Sequence, residues 1–303
     1  MLSVIQKWLS FVRFSHTIFA LPFALAAMCV ASRDRRGWPG WRTFGLILAA
    51  MVCARTCAMA FNRIVDRKFD ALNPRTAKRH LPAGQISLFS ALLLCALAAL
   101  GLVAASWFLG DEQRGHICFY LSPVALVVIC FYSLTKRFTD YTHVFLGVAL
   151  ALAPVGAWLA VKGADISTLE IIQMLVLSAT VVLWLVGFDI IYALQDYEFD
   201  RAHGLRSLVV AWGPQNALGA AFLAHLLMCG LLLAFGLLCR FWIAYIVGWF
   251  IILICLMVEH WIARRRSLQW INVAFFRLNA VVSTVFFVVT AAEVVFKGGF
   301  RGR

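Results

Sequence analysis

Nine apolar runs, each long enough to cross a bilayer, decide what this chain can become. They lie near residues 15–31, 43–65, 88–109, 117–135, 143–161, 169–193, 214–238, 241–262 and 272–296. A helix needs ~20 mostly apolar residues to cross ~30 Å of hydrocarbon at ~1.5 Å per residue. Charged residues are only 14% of the chain and hydrophobic ones 63%. A soluble globule carries about 25% charge, so lipid is the solvent for most of this length. The expected fold is all-α, a polytopic integral membrane protein of about nine helices around a central cavity. No long Pro-, Gly- or Ser-rich linker separates the runs, and residues 1–303 read as one domain. Lys7 and Arg13 precede the first run as they would in a signal peptide, but no A-x-A site follows, and the run reads as a retained helix.

The charge balance is lopsided, with 27 Lys and Arg against 14 Asp and Glu, a net +13. Such an excess suits nucleic acid, an anionic substrate or an acidic membrane surface. In a membrane chain basic cytoplasmic loops facing anionic lipid account for much of it, and no nucleic-acid partner is expected. With the N-terminus inside, Lys7, Arg13, Arg63, Arg67, Lys68, Arg75, Lys78, Arg79, Lys136, Arg137, Arg201, Arg206 and Arg264–Arg266 fall on the cytoplasmic side. The Arg33, Arg35, Arg36 and Arg42 cluster opposes that bias. The nine cysteines sit mostly inside apolar runs without a CxxC pair and read as small hydrophobes, not as a disulfide or zinc framework.

Acids are the scarce residues, and six of the fourteen fall in two short segments. Asn62, Asp66 and Asp70 stand four apart at the end of the second run, with Arg55 seven residues earlier. Asp189, Tyr192, Asp196 and Asp200 stand at the end of the sixth. Residues four apart share a helix face, so each segment is a ladder of oxygen ligands. One such ladder is unremarkable as a solvated helix end. Two on the same side of the membrane, in a chain this poor in acid, call for a counter-cation. Oxygen donors without thiol partners select a hard ion, and Mg²⁺ takes one or two carboxylates with phosphate oxygens and water. Two facing ladders, each holding Mg²⁺, would clamp a diphosphate. Arg67, Lys68, Arg75, Arg79, Lys136, Arg137, Arg201 and Arg206 flank them and suit phosphate charge.

These residues resemble the UbiA superfamily of intramembrane aromatic prenyltransferases. The family's N-x-x-x-D-x-x-x-D motif, with its preceding Arg, is similar to Arg55, Asn62, Asp66 and Asp70, followed by Arg75, Thr76, Arg79, Leu81, Pro82 and Gly84. Its second motif is matched by Asp189, Tyr192, Ala193, Asp196, Asp200, Gly204, Arg206 and Ser207, and an intervening segment by Tyr132, Lys136, Arg137, Thr139, Leu146 and Gly147. Departures are Ser133 for a usual Pro, His143 for a usual Gln, Phe188 for a usual Tyr, Arg206 for a usual Lys, and Ser15-His16-Thr17 after Arg13.

The resemblance implies transfer of a polyprenyl group from a polyprenyl diphosphate to an aromatic acid by electrophilic substitution. It looks closest to the 4-hydroxybenzoate-type branch of ubiquinone and menaquinone biosynthesis, with a dihydroxynaphthoate as alternative acceptor. It implies Mg²⁺ held by Asn62, Asp66, Asp70, Asp196 and Asp200; Asp66, Asp196, Asp189, Arg55 and Tyr192 as catalytic; and Arg67, Lys68, Lys136, Arg137 and Arg206 on the diphosphate. Membrane lipid is the expected surrounding, with no obligatory protein partner, in a bacterial inner membrane with the site mouth facing the cytoplasm. A carrier would place its charges nearer the bilayer midplane, and a scaffold would leave both ladders without a reason. His16 and His143 read as membrane-interface residues, Glu259 or Glu293 as a partner for Arg277, and Arg264–Arg266 as a topology anchor. Asn272 and Asn279 share a face but carry no motif.

Overall fold

The computed structural model describes residues 2–112, 114–264 and 274–297. Among them are nine helical stretches long and apolar enough to cross a bilayer, the first Phe14–Ala31 and the last Phe276–Phe296. There is no strand among the described residues, only an isolated bridge between Asp111 and Gly115. The chain is an integral membrane protein of the all-α class.

The helices are α1 (Leu2–Phe11), α2 (Thr17–Ala31), α3 (Trp41–Leu72), α4 (Leu88–Leu109), α5 (Ile117–Phe131), α6 (Thr142–Lys162), α7 (Thr168–Ala193), α8 (Tyr197–Ala202), α9 (Leu208–Leu238), α10 (Ile243–Arg264) and α11 (Asn279–Lys297). From α3 onward each long helix packs on the next, α3 on α4, α4 on α5, through α7 on α9 to α10 on α11. α11 then returns to α2, which packs on α6. α2 is apolar all round and buries Phe23, Ala24, Ala26 and Ala27 completely, the pattern of a helix enclosed by others. α1 is different. Its C-terminal Phe11 packs with Met59, Ala60, Ile86 and Ala91, while Val4, Ile5 and Leu9 stay exposed.

α3 runs past the apolar stretch that announced it and carries Asp66 and Asp70 on the excess, while Asp196 and Asp200 lie just beyond the end of α7. α3 has 32 residues, about 48 Å at ~1.5 Å each, and continues seven residues beyond 65. It stops at Asn73, whose extended backbone (φ −84°, ψ 118°) precedes Pro74, because a proline disfavours helical geometry in the residue before it. α7 begins with a capping box, Ser167 with Glu170. It passes into a 3₁₀ turn, Leu194–Asp196, and then α8. α9 begins at Leu208, six residues before the seventh run, and Gly213 (φ 77°) interrupts it just before Pro214.

Close helix contacts need small residues, and Gly187 of α7 is the tightest. A Cβ there would collide with the ring of His225 in α9. That ring is itself fixed, Nδ1 to Nε2 of His260 (2.9 Å) and Nε2 to the Trp184 carbonyl (3.1 Å). Gly187→Ala is therefore expected to destabilise the protein by about 1–3 kcal/mol, read as a lower unfolding temperature in detergent.

The buried acids of α10 and α11 are structural. Glu293 accepts hydrogen bonds from the backbone N–H groups of Trp242 (2.9 Å) and Tyr245 (3.3 Å) at the start of α10. Glu259 accepts from Asn279 Nδ2 (2.8 Å), whose Oδ1 accepts from Trp184 Nε1 (2.8 Å). Glu259 is thus held by an amide rather than by Arg277, which is exposed. Arg265, Arg266 and Asn272 lie outside the described residues.

Candidate active site

Where α3 and α7 end, their tips meet. Asn73, the residue that stops α3, donates from Nδ2 to Asp196 Oδ1 (3.2 Å). Arg75 donates from Nε to the same oxygen (2.8 Å), from Nη2 to Asp196 Oδ2, and from Nη1 to the Tyr192 hydroxyl (2.9 Å). The guanidinium also lies 5.4 Å from the centre of the Tyr192 ring. Burial works against the charged form of Arg75, but its bonds to Asp196 and Tyr192 prevail and hold its pKa above the ordinary value.

Asp66, Asp70 and Asp200 are also each met by a cation. Asp66 Oδ1 accepts from Arg137 Nη2 (3.1 Å), and its Oδ2 from Asn62 Nδ2 (3.0 Å). Asp200 Oδ2 accepts from Lys136 Nζ (3.4 Å). Asp70 accepts from Arg79 Nη1 through Oδ1, while its buried Oδ2 lacks a hydrogen bond and faces Arg63 Nη1 at 3.8 Å. The cations flanking the ladders thus hold carboxylates in this state. Leaving any of these acids unpaired in so enclosed a place would cost several kcal/mol.

One cavity of about 270 Å³ gathers Arg55, Asn62, Asp66, Asp70, Lys136, Arg137, Asp189, Tyr192, Asp196 and Asp200. Arg67, Lys68 and Arg206, expected at the diphosphate, are not among its walls. Arg67 and Lys68 are exposed; one and two residues beyond Asp66, they sit ~100° and ~200° around α3 from it. Arg206 is exposed as well. Its Nη1 donates to the Phe138 carbonyl (2.9 Å) and its backbone N–H to the Lys136 carbonyl (2.8 Å), which ties the segment carrying Lys136 in place.

Other walls carried little signal in the sequence. Arg13 lines the cavity from a left-handed backbone (φ 49°), and burial lowers its pKa. Ser133 Oγ accepts from Asn62 Nδ2 (3.4 Å). His16 lines the cavity between Phe19 and Phe276. His143, read as an interface residue, is instead fully buried and bonded through Nδ1 to Asp189 Oδ2 (2.6 Å). The signal available for it was its place, where a Gln is usual, six residues after Arg137.

Deeper in, Arg55, Tyr132, Leu146 and Leu150 are shared with a second cavity of about 270 Å³, walled by α3, α4, α5 and α6. Its lining is almost wholly apolar, with Ile47, Met51, Ala54, Leu102 and Leu109 among it. Arg55 stands at the junction with a buried Nε that takes no hydrogen-bond partner. A guanidinium with an unpartnered buried N–H on the wall of both cavities suits a negatively charged ligand group.

The ladders fit a hard divalent cation better than a soft one. Their donors are carboxylate and amide oxygens, and Asp70 Oδ2 is buried without a donor. Among the described residues no three His, Cys, Asp or Glu side chains converge on one point. Each ladder therefore offers one or two carboxylates, the number Mg²⁺ takes when phosphate and water complete its shell.

Residues 20–281 match the UbiA prenyltransferase family. A 4-hydroxybenzoate octaprenyltransferase of Tolumonas auensis is 28% identical over 270 residues, 89% of this chain and 90% of that protein. The apo structure of a UbiA homologue from Aeropyrum pernix K1 superimposes with a TM-score of 0.79 at 30% identity, covering 93% of this chain and 98% of the other. A UbiA homologue from Archaeoglobus fulgidus, bound to GPP and Mg²⁺, shares the fold with a TM-score of 0.71 at 20% identity, covering 96% and 99%.

Proposed function

The chain belongs to the UbiA prenyltransferase family, and from that membership we propose that it transfers a polyprenyl group from a polyprenyl diphosphate to an aromatic acid of the 4-hydroxybenzoate type, a step of quinone biosynthesis. One observation carries this reading: Asn73 and Arg75 join the two acid-bearing tips at Asp196 beside a cavity that shares Arg55 with an apolar chamber. A charged head, an acidic ring and an isoprenoid tail each find matching chemistry along that path. The whole of residues 1–303 acts as one transferase domain, in a bacterial inner membrane with the cavity mouth on the cytoplasmic side. The relative from Tolumonas auensis and the basic residues at that mouth support this placement.

The head group enters between the ladders. Arg75, Arg79, Lys136 and Arg137 then share their hydrogen bonds between carboxylate and phosphate oxygens, which Arg does well because its planar fork matches both. Asn62, Asp66 and Asp70 on one side, and Asp196 and Asp200 on the other, are the residues that would hold Mg²⁺. When bound there it supplies Lewis-acid withdrawal of charge from the leaving diphosphate; the Archaeoglobus fulgidus homologue, solved with GPP and Mg²⁺, supports this. Arg55 pairs with the carboxylate of the acceptor, and Asp189 and Tyr192 meet its ring. Phe19, Phe188, Tyr132 and Tyr192 line the cavity and offer π faces to a developing allylic cation. The apolar chamber takes the tail and excludes water, which would otherwise intercept that cation.

The test incubates the purified protein with radiolabelled polyprenyl diphosphate, Mg²⁺ and a panel of aromatic acids. A prenylated 4-hydroxybenzoate is the expected lipid product. Exclusive prenylation of a dihydroxynaphthoate would replace the acceptor, and no product from any aromatic acid would refute the acceptor class.

A further inference from the structure

Of the carboxylates in the cavity, Asp189 is held differently. Asp66, Asp70, Asp196 and Asp200 each meet an Arg or Lys within 3.4 Å. Asp189 meets the imidazole of His143, whose Nδ1 lies 2.6 Å from Oδ2. The imidazole is the donor of that bond, since an ionised carboxylate only accepts. Its other nitrogen, Nε2, is buried without a partner, so the ring does nothing in the described structure except grip Asp189. Gly147, one turn along α6, makes the grip possible. A Cβ there would stand 3.0 Å from the Val182 carbonyl of α7, so α6 and α7 approach closely enough for a side chain at the start of α6 to reach the cavity wall of α7.

With Oδ2 engaged, the Oδ1 oxygen of Asp189 is left over. Among the described residues no donor meets it, and 21% of the side chain is open in a residue that lines the cavity. Asp189 lies one turn below Tyr192 and two below Asp196 on the same helical run, on the wall of the cavity that Arg55 also lines. Carboxylates clasped by a guanidinium or ammonium are poor proton acceptors, because taking a proton forfeits a charge-assisted bond. Asp189 is clasped by no guanidinium or ammonium among the described residues, only by the imidazole of His143 through Oδ2. Prenylation of an aromatic carbon needs an acceptor for the ring proton, and Asp189 stands on the wall of the cavity that would hold the ring.

Resting on the transferase reading above, we propose that Asp189 is the catalytic base that removes the ring proton of the aromatic acceptor, and that His143 is the positioning residue that aims it. The allylic C–O bond breaks with its electron pair leaving on the diphosphate. A ring π pair forms the new C–C bond. The proton on that ring carbon passes to Asp189 Oδ1, and the C–H pair restores aromaticity. Asp189 later yields the proton to water at the cavity mouth.

The test compares ring-deuterated with ordinary 4-hydroxybenzoate in the Mg²⁺-loaded protein, alongside equilibrium binding of polyprenyl diphosphate. Wild-type turnover in that assay reports on the transferase reading by itself. Asp189→Asn is expected to lower kcat by about 10²–10⁴-fold with unchanged diphosphate binding, and to show a primary isotope effect larger than the wild-type one as proton loss becomes limiting. His143→Leu should lower kcat with KM for the diphosphate unchanged, and His143→Gln, which keeps a donor to the carboxylate, should recover most of it. Wild-type kcat in Asp189→Asn, a slowed variant with no larger isotope effect, or loss of diphosphate binding would each overturn the proposal.

Discussion

Asp196→Asn is expected to reduce prenyl transfer by at least about 10²–10³-fold, the scale on which one lost electrostatic contact to a reacting anion is felt, while leaving the protein inserted in the membrane. The substitution keeps size and shape and removes one negative charge. Arg75 and Asn73 both donate to this carboxylate, so the join between the α3 and α7 tips loosens together with the loss of a cation ligand. Hydrogen bonds to charged groups contribute about 1.5–3 kcal/mol each, which is small beside the burial of the nine apolar helices among the described residues. Asp66→Asn should behave alike, since Asp66 anchors the other ladder through Asn62 and Arg137. Arg67→Gln separates this account from a general charge effect. It removes a charge one residue away, on an exposed face of α3, and should leave turnover close to wild type. Turnover by labelled product, with insertion followed by membrane fractionation, checks all three.

Chelation is the second large effect. EDTA should silence turnover and added Mg²⁺ restore it. Asp66, Asp70, Asp196 and Asp200 are already matched by Arg137, Arg79, Arg75 and Lys136. The other cations on the cavity wall are Arg13, Arg55 and Arg63, of which Arg63 already faces Asp70. Like charges ~4 Å apart repel by about 4 kcal/mol at an effective dielectric near 20, which is roughly a thousandfold in rate for each uncompensated contact. Divalent cations relieve that repulsion on both sides at once. Metal-independent turnover would remove the clamp from the mechanism.

The positions of the spans and the i, i+4 ladders were legible in the sequence because both depend on local periodicity and length. What lay beyond was set by contacts between distant residues. Hydropathy falls after residue 65 while α3 continues to Leu72, so the projecting turns that carry Asp66 and Asp70 are invisible to an apolar window. Arg75 and Asp196 stand 121 positions apart, and nothing local says that this arginine bridges two tips instead of awaiting phosphate. Arg67 and Lys68 were placed by adjacency, although adjacent residues on a helix face different ways. His143 depends on the α6–α7 register that Gly147 permits, and Glu259 on an amide from α11. Side chains satisfied by partners on other helices show no motif of their own.

If both tips grip one diphosphate through divalent ions, ions and diphosphate bind together. Counting Mn²⁺ by electron paramagnetic resonance, in protein saturated with an unreactive polyprenyl thiodiphosphate, addresses it most directly. Two ions per chain are expected, binding only with the diphosphate analogue, one of them lost in Asp66→Asn and one in Asp196→Asn. Two ions that persist in both variants, or that bind without the analogue, would contradict it.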